Sequence, residues 1–269
     1  MGRLALRPAL RNSVHAPGAV EAVAPWDSST KSVNHDGVDD YDYAEVPRSI
    51  IESAYSVSLW FKLPSSGVSD SYIYSIGQGH LGDYFGGLYS MRVRVSSALR
   101  VYSSGRAGTS SHIIYTDYRD DTWHHLVYTG TAAGLLDGTA SVYIDGSLDG
   151  TTTSRAAYES SHGFYAAGAA QYVACQPQAT GYPWVAAAAS FTPVKIDEIT
   201  IWTSALSASN VTALYNSGVP ADPSTVGSGP AHYWRMGEHV SGTTIPDQSG
   251  NSSNDMTLYN GAAVVTDAP

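Results

Sequence analysis

Cysteine is nearly absent: Cys175 stands alone in 269 residues. That excludes an intrachain disulfide framework and any cysteine-based zinc site. Lysine is scarce too, because only Lys31, Lys62 and Lys195 among 14 cationic residues are lysines. Charged residues of both signs make up 14% of the chain, against roughly 25% in an average soluble protein. The net charge of −10 argues against nucleic acid or an anionic membrane as partner. No stretch approaches about 18 consecutive apolar residues, so no membrane-inserted helix is expected. The first residues, MGRLALRPALRNSVHAPG, carry Pro8 and Arg11 where a secretory signal needs an unbroken apolar core.

What the chain does have is tyrosine. Nineteen Tyr and six Trp dominate the 11% of aromatic residues, rings with an apolar face and a polar tip that suit β-faces and contact surfaces. Residues 1–31 read as an extended arm in which Arg3, Arg7 and Arg11 recur every four residues. The expectation is an assembly arm docked on another chain.

From Ser32 onward the punctuation is all-β. Val57, Leu59, Phe61 and Leu63 alternate onto one face. Further strands are predicted over 72–77, Leu88–Val95, Leu99–Tyr102, Trp123–Thr129, Ser141–Ile144 and Val194–Trp202. Ser96-Ser97-Ala98 reads as a hairpin loop, and Asp145-Gly146 is a strong hairpin turn. One helix is predicted, capped by Ser207, with Val211, Leu214 and Tyr215 on one face and Gly218 past its end. Residues 175–193 read as a long loop, 217–231 as a Gly/Pro linker and 232–269 as a small C-terminal strand unit. Many short strands and almost no helix predict a two-sheet antiparallel sandwich or jelly roll.

Five segments in order carry a family resemblance: VNHDGVDDYDYAEVP, SVSLWFKL, DDTWHHLVYTG, ASVYIDGSLDG and KIDEITIWTSALSASNVTALYN. Together they resemble the laminin-G-like, concanavalin A-like jelly-roll domains over residues 32–216. The resemblance implies two packed antiparallel sheets with a concave and a convex face. The tail AHYWRMGEHVSGTTIPDQSGNSSNDMTLYNGA is similar to an element that accompanies such domains in virion proteins of tailed phages. There a similar stretch often precedes the first strand, whereas here it follows the last. Pairing with its own sandwich and pairing with a neighbour's both stay open.

The same fold hosts retaining glucanases, which need two carboxylates about 5 Å apart from an E-x-D-x-x-E strand. None of the six Glu residues sits in that pattern, so an enzyme is not expected. No G-x-S-x-G occurs. In WHHLVYT the alternation sends His124 and His125 to opposite faces, so one strand cannot offer both to one metal. The resemblance implies one structural Ca²⁺ on the convex side, with Asp197 as ligand and Asp36 and Gly37 as neighbours; the alternative is that Asp197 and Glu198 anchor backbone turns. Hard cations favour such oxygen sets. Tyr172, Tyr182 and Trp184 form an aromatic group suited to stacking on a sugar or a protein partner, or to packing over their own sheet edge.

The reading these residues favour is a non-enzymatic structural protein located in a virion, a capsid decoration or tail-associated subunit. Its expected partners are other virion subunits, copies of itself and host-surface glycans. The alternative is a carbohydrate-binding lectin module of a secreted or surface protein.

Overall fold

The computed structural model describes residues 28–47, 50, 53–68, 70–78, 88–105, 108–131, 137–155, 169–175, 191–249 and 254–269. Arg3, Arg7 and Arg11 of the arm, and Tyr182 and Trp184 of the aromatic group, lie outside them. The described strands form two antiparallel sheets packed face to face, as the alternation predicts.

Sheet A runs β10 (Ser147–Arg155), β9 (Asp137–Ile144), β8 (Trp123–Gly130), β3 (Tyr55–Lys62), β12 (Pro193–Trp202), β1 (Ser32–Asp36) and β16 (Ala263–Val265), with β13 (His232–Trp234) beside β12. Sheet B runs β14 (Thr244–Ile245), β15 (Met256–Tyr259), β2 (Tyr41–Val46), β11 (Ala169–Val173), β4 (Ser71–Gln78), β5 (Leu88–Val95), β6 (Leu99–Gly105) and β7 (Gly108–Ile114). The inward residues follow the period of two. Val57, Leu59 and Phe61 of β3 meet Val93, Val95 and Val101 of the facing sheet in one buried cluster. Polar links cross this interior: His35 Nε2 lies 3.1 Å from Asp42 Oδ2, both fully buried, and the Tyr128 hydroxyl donates to Ser103 Oγ at 3.1 Å. Burial works against the His35 imidazolium, but Asp42 and Asp40 overcome it and raise its pKa above the ordinary value.

The turns obey their chemistry. Asp145 and Gly146 both take positive φ, 49° and 75°, the requirement of the tight hairpin joining β9 to β10. Helix α1 (Ala208–Tyr215) is capped by the Ser207 hydroxyl, which accepts from the Asn210 N–H at 3.3 Å. It ends at Asn216 in the left-handed region, two residues before Gly218.

Helix α1 lies over the outer face of sheet A. There Val127, Tyr143, Trp202, Leu206, Val211, Leu214 and Val226 form a second buried cluster. Val226 belongs to the segment expected as a linker, which instead packs onto the helix: the Ala221 N–H donates to Leu214 O at 3.3 Å. The C-terminal strands pair with their own sandwich and join both sheets. β13 pairs with β12 and β16 with β1 on sheet A, while β14 and β15 extend sheet B from β2. Asp267 secures the end, paired with Lys62 at 3.1 Å, with Lys195, and with the Trp123 indole N–H at 3.0 Å. Although some burial opposes ionisation, these donors hold its carboxyl down at about 2.

Candidate functional site

Strand register lines up one row of outward side chains across sheet B. Thr257 of β15 faces Tyr43 of β2, which faces Tyr172 of β11. Tyr172 faces Ser75 of β4, and the row continues through Arg92 of β5 and Tyr102 of β6 to Ser111 of β7. A second row holds Tyr72, Arg94 and Arg100, and at the other edge Tyr41 faces Tyr259. Period-two alternation puts the polar-tipped rings outside because Ala44, Val46, Val93 and Val101 take the inside positions.

The middle of this face is closed: Tyr172 is 4% exposed, Ser75 1% and Tyr72 8%. Its two ends are open. At the β15–β2 end, Tyr41 and Tyr259 stack with ring centroids 4.8 Å apart and planes 6° from parallel, and Tyr259 is 38% exposed. The neighbouring Tyr43 hydroxyl donates to Glu45 at 3.0 Å, and burial with that bond raises its phenol pKa. At the β5–β6 end, Arg92 lies 4.7 Å from the Tyr102 ring centroid and Arg100 5.8 Å. Arg94 and Arg100 donate to the Tyr102 oxygen at 3.3 and 3.4 Å. Burial opposes ionisation of Tyr102, and the two guanidinium hydrogen bonds outweigh it, so its pKa falls below the ordinary value. Four strand intervals separate Tyr43 from Tyr102, a span of about 19 Å.

Tyr172 therefore sits in the body of a sheet, against Tyr43 at 5.1 Å between centroids. The expectation that it offers an exposed stacking face is corrected, since neither face of a 4%-exposed ring can meet a ligand. Tyr41, Tyr259, Arg100 and Tyr102 were not singled out in the sequence. A signal existed for the last two: a hairpin turning at Ser96–Ala98 sets Arg94 opposite Arg100 and Arg92 opposite Tyr102.

The residues expected around a calcium ion do not come together. Asp36 pairs with Pro193 at one end of the β1–β12 ladder, and Asp197 lies four residues further along β12, about 13 Å away. The Asp36 carboxylate accepts from the Val38 N–H at 2.7 Å, while Asp40 accepts from Asp36 and Gly37. That turn satisfies itself. Asp197 meanwhile accepts from the Ser29 hydroxyl at 2.6 Å and from the backbone N–H groups of Glu198 and Met236. Its carboxylate is engaged by donors, which fits the alternative of an anchor for backbone and not a cation cradle.

A bulge at Glu198, whose φ is 51°, buries a second carboxylate beside the first. Glu198 accepts from the Tyr233 hydroxyl and pairs with Arg235 at 3.4 Å, while Glu238 accepts from Thr30 N–H at 2.7 Å. Burial raises Glu198 to about 7 despite Tyr233 and Arg235, and burial with Glu198 raises Asp197 well above the carboxylate range. This cluster ties residues 29–30 and the C-terminal strands to β12. The two histidines divide as expected: His125 is buried at 1% exposure, accepting or donating with Ser58 Oγ at 2.7 Å, while His124 stays partly exposed between Asp145 at 2.8 Å and Asp120 at 3.2 Å.

Residues 36–212 match the family model of the concanavalin A-like lectin/glucanases superfamily, and the chain belongs to that family. Its fold is similar to that of a Bacteroides ovatus protein whose carbohydrate binding is itself inferred, at 19% identity and TM-score 0.56, over 90% of this chain and 61% of the other. The chain thus spans less than two thirds of that protein. A heptameric SAP-like pentraxin of Limulus polyphemus aligns at 15% identity and TM-score 0.49, covering 71% of this chain and 83% of the other. A Trypanosoma rangeli sialidase aligns at 14% identity and TM-score 0.48, over 68% of this chain and 27% of the enzyme. No curated protein sequence matches.

Proposed function

We propose that this chain is a carbohydrate-binding module without catalytic activity, and that glycans bind the outer face of sheet B. The observation that carries this reading is the outer face of sheet B, open at a tyrosine stack on one side and at a Tyr/Arg group on the other, where part of the outer face of sheet A is covered by the helix. Membership of a lectin/glucanase superfamily and the fold shared with the Bacteroides protein support it. They favour this alternative over an assembly role alone.

Hydrolysis is disfavoured by register. Glu45 lies level with Gly77 through Ala170, and Asp70 lies seven residues from Gly77. The separation is about 23 Å along the strand, against the roughly 5–9.5 Å that glycosidic carboxylate pairs use.

A virion location, in a capsid decoration or tail subunit, rests on the tail element and the basic arm. It is compatible with glycan binding, because such a subunit can display the sandwich to host-surface glycans. Sedimentation of the full chain tests the self-association this placement needs, with a discrete oligomer expected and a monomer against it.

The test of the main reading is affinity electrophoresis through gels carrying neutral and acidic polysaccharides, with a chelator arm for the calcium expectation. Retardation by at least one polysaccharide, lost in Tyr259→Ala or Arg100→Ala, is expected. Equal mobility in every gel would sink the reading.

A further inference from the structure

The β5–β6 end of the face runs against the charge of the chain. Overall the protein is at −10, yet Arg92, Arg94 and Arg100 gather around one ring. Asp70 neutralises Arg94, with a bond from Nε at 2.5 Å and a second from Nη2. Among the described residues Arg100 has no carboxylate partner and meets Tyr102. Gathering like charges this closely costs energy, and cation–π contact with Tyr102 returns only part of it.

The Tyr102 oxygen adds a second indication. It accepts two guanidinium hydrogen bonds, so its own O–H points away from both donors and finds no acceptor among the described residues. Two cationic donors on the oxygen polarise that O–H and make it a stronger donor, as the lowered phenol pKa also indicates. A strengthened hydroxyl donor beside a guanidinium fork that has no carboxylate partner among the described residues matches an anionic oxygen pair, the geometry of a carboxylate or sulfate.

We infer that this end of the face binds the acidic unit of an oligosaccharide, a sugar carboxylate or sulfate, with the Arg100 guanidinium and the Tyr102 hydroxyl as its donors. The inference rests on the glycan-binding reading above and assigns its ligand class. Arg92 supplies further positive potential through the ring, and Asp70 positions Arg94 to hold the phenol oxygen. The Tyr41–Tyr259 stack, about 19 Å away across four strands, takes an uncharged ring of the same chain.

The experiment uses the full chain and titration calorimetry against two matched pairs: hexagalacturonate with its methyl ester, and dextran sulfate with dextran. Each pair keeps the backbone and removes the charge. Binding of an acidic member at least about tenfold tighter than its neutral partner is expected, the worth of one charge-assisted hydrogen bond. The preference shrinks at physiological salt relative to low salt. Arg100→Ala abolishes it and Tyr102→Phe weakens it, while the melting temperature of both variants stays unchanged. Preference only within the dextran pair supports the inference with sulfate as the anion; preference only within the galacturonate pair supports it with carboxylate. Equal affinity within both pairs, with binding lost in Tyr259→Ala, overturns the acidic class and leaves glycan binding standing. No binding to any of the four overturns both.

Discussion

The two outer faces of this sandwich obey one alternation rule and come to opposite ends. On sheet A the outward residues Trp60, Val127, Tyr143 and Trp202 are roofed by α1 and the segment that carries Val226. Trp60 stacks on His125 at 4.9 Å and on Tyr215 of the helix at 5.8 Å. On sheet B the outward residues are Tyr and Arg, and at both strand edges they meet solvent. A face is sealed where a cover brings its own apolar side chains, here Leu206, Val211 and Leu214. Where rings keep a polar tip, leaving them accessible costs little, and the face stays available for a partner.

The largest test of that contrast is Trp202→Ala against Tyr259→Ala. Emptying the sealed face should cost about 3–5 kcal/mol in denaturant unfolding, and truncating the 38%-exposed ring under about 1 kcal/mol. Comparable costs would break the comparison.

Acid provides the next test. Burial pushes the His125 pKa down to about 3 although Asp145 works against it. Below its unfolded pKa of about 6.5 the unfolded chain binds a proton that the folded chain refuses, so stability falls as pH falls. Relative to His125→Asn, the wild type should lose about 2 kcal/mol between pH 6.5 and 4.5, followed by urea midpoints. Glu198 has the opposite sign. With its pKa raised to about 7, its contribution is present below the unfolded value of about 4.5 and is lost as pH climbs to 7. Compared with Glu198→Gln, the wild type should therefore weaken over that window.

Smaller effects sharpen the picture. Asp267→Asn weakens the contacts to Lys62, Lys195 and Trp123 at a half-exposed site, for a loss of about 1 kcal/mol; hydrogen exchange should report it first in β16. Arg100→Ala should move stability by no more than about 0.5 kcal/mol while changing glycan affinity. If it unfolds the protein, the open face is structural after all.

Much of the sandwich was legible before any coordinates. The alternation of Val57, Leu59 and Phe61, the Asp145-Gly146 turn and the Ser207 cap are local signals, and each lands where local physics puts it. Strands β2 and β11 escaped because their outward residues, Tyr41, Tyr43 and Tyr172, blur the apolar–polar contrast that marks a strand. The burial of Glu198 was hidden for another reason. A glutamate with φ of 51° breaks the period, and the partners that hold its neighbour, such as Ser29, lie far away in sequence. The site was harder still: for Tyr172 stacking on a partner and packing on its own sheet were both open, and only pairing on both sides shows that it is enclosed. Charge gathered across a hairpin becomes visible once register is applied, and the Arg92–Tyr102 and Arg94–Arg100 pairs needed nothing more.

The pairing of β1 with β16 sets Ser32 opposite Val265, a contact between residues more than two hundred positions apart. Contacts of such span slow folding because the intervening chain must be gathered before they reward it. On the ribosome the effect is one of timing. Sheet A gains its last strand, and Lys62 and Lys195 their shared carboxylate, only after residue 267 has emerged. Until then β1 presents an unpaired edge to every neighbouring chain. Crowded synthesis of many copies is therefore when this protein is most exposed to pairing with itself in the wrong way.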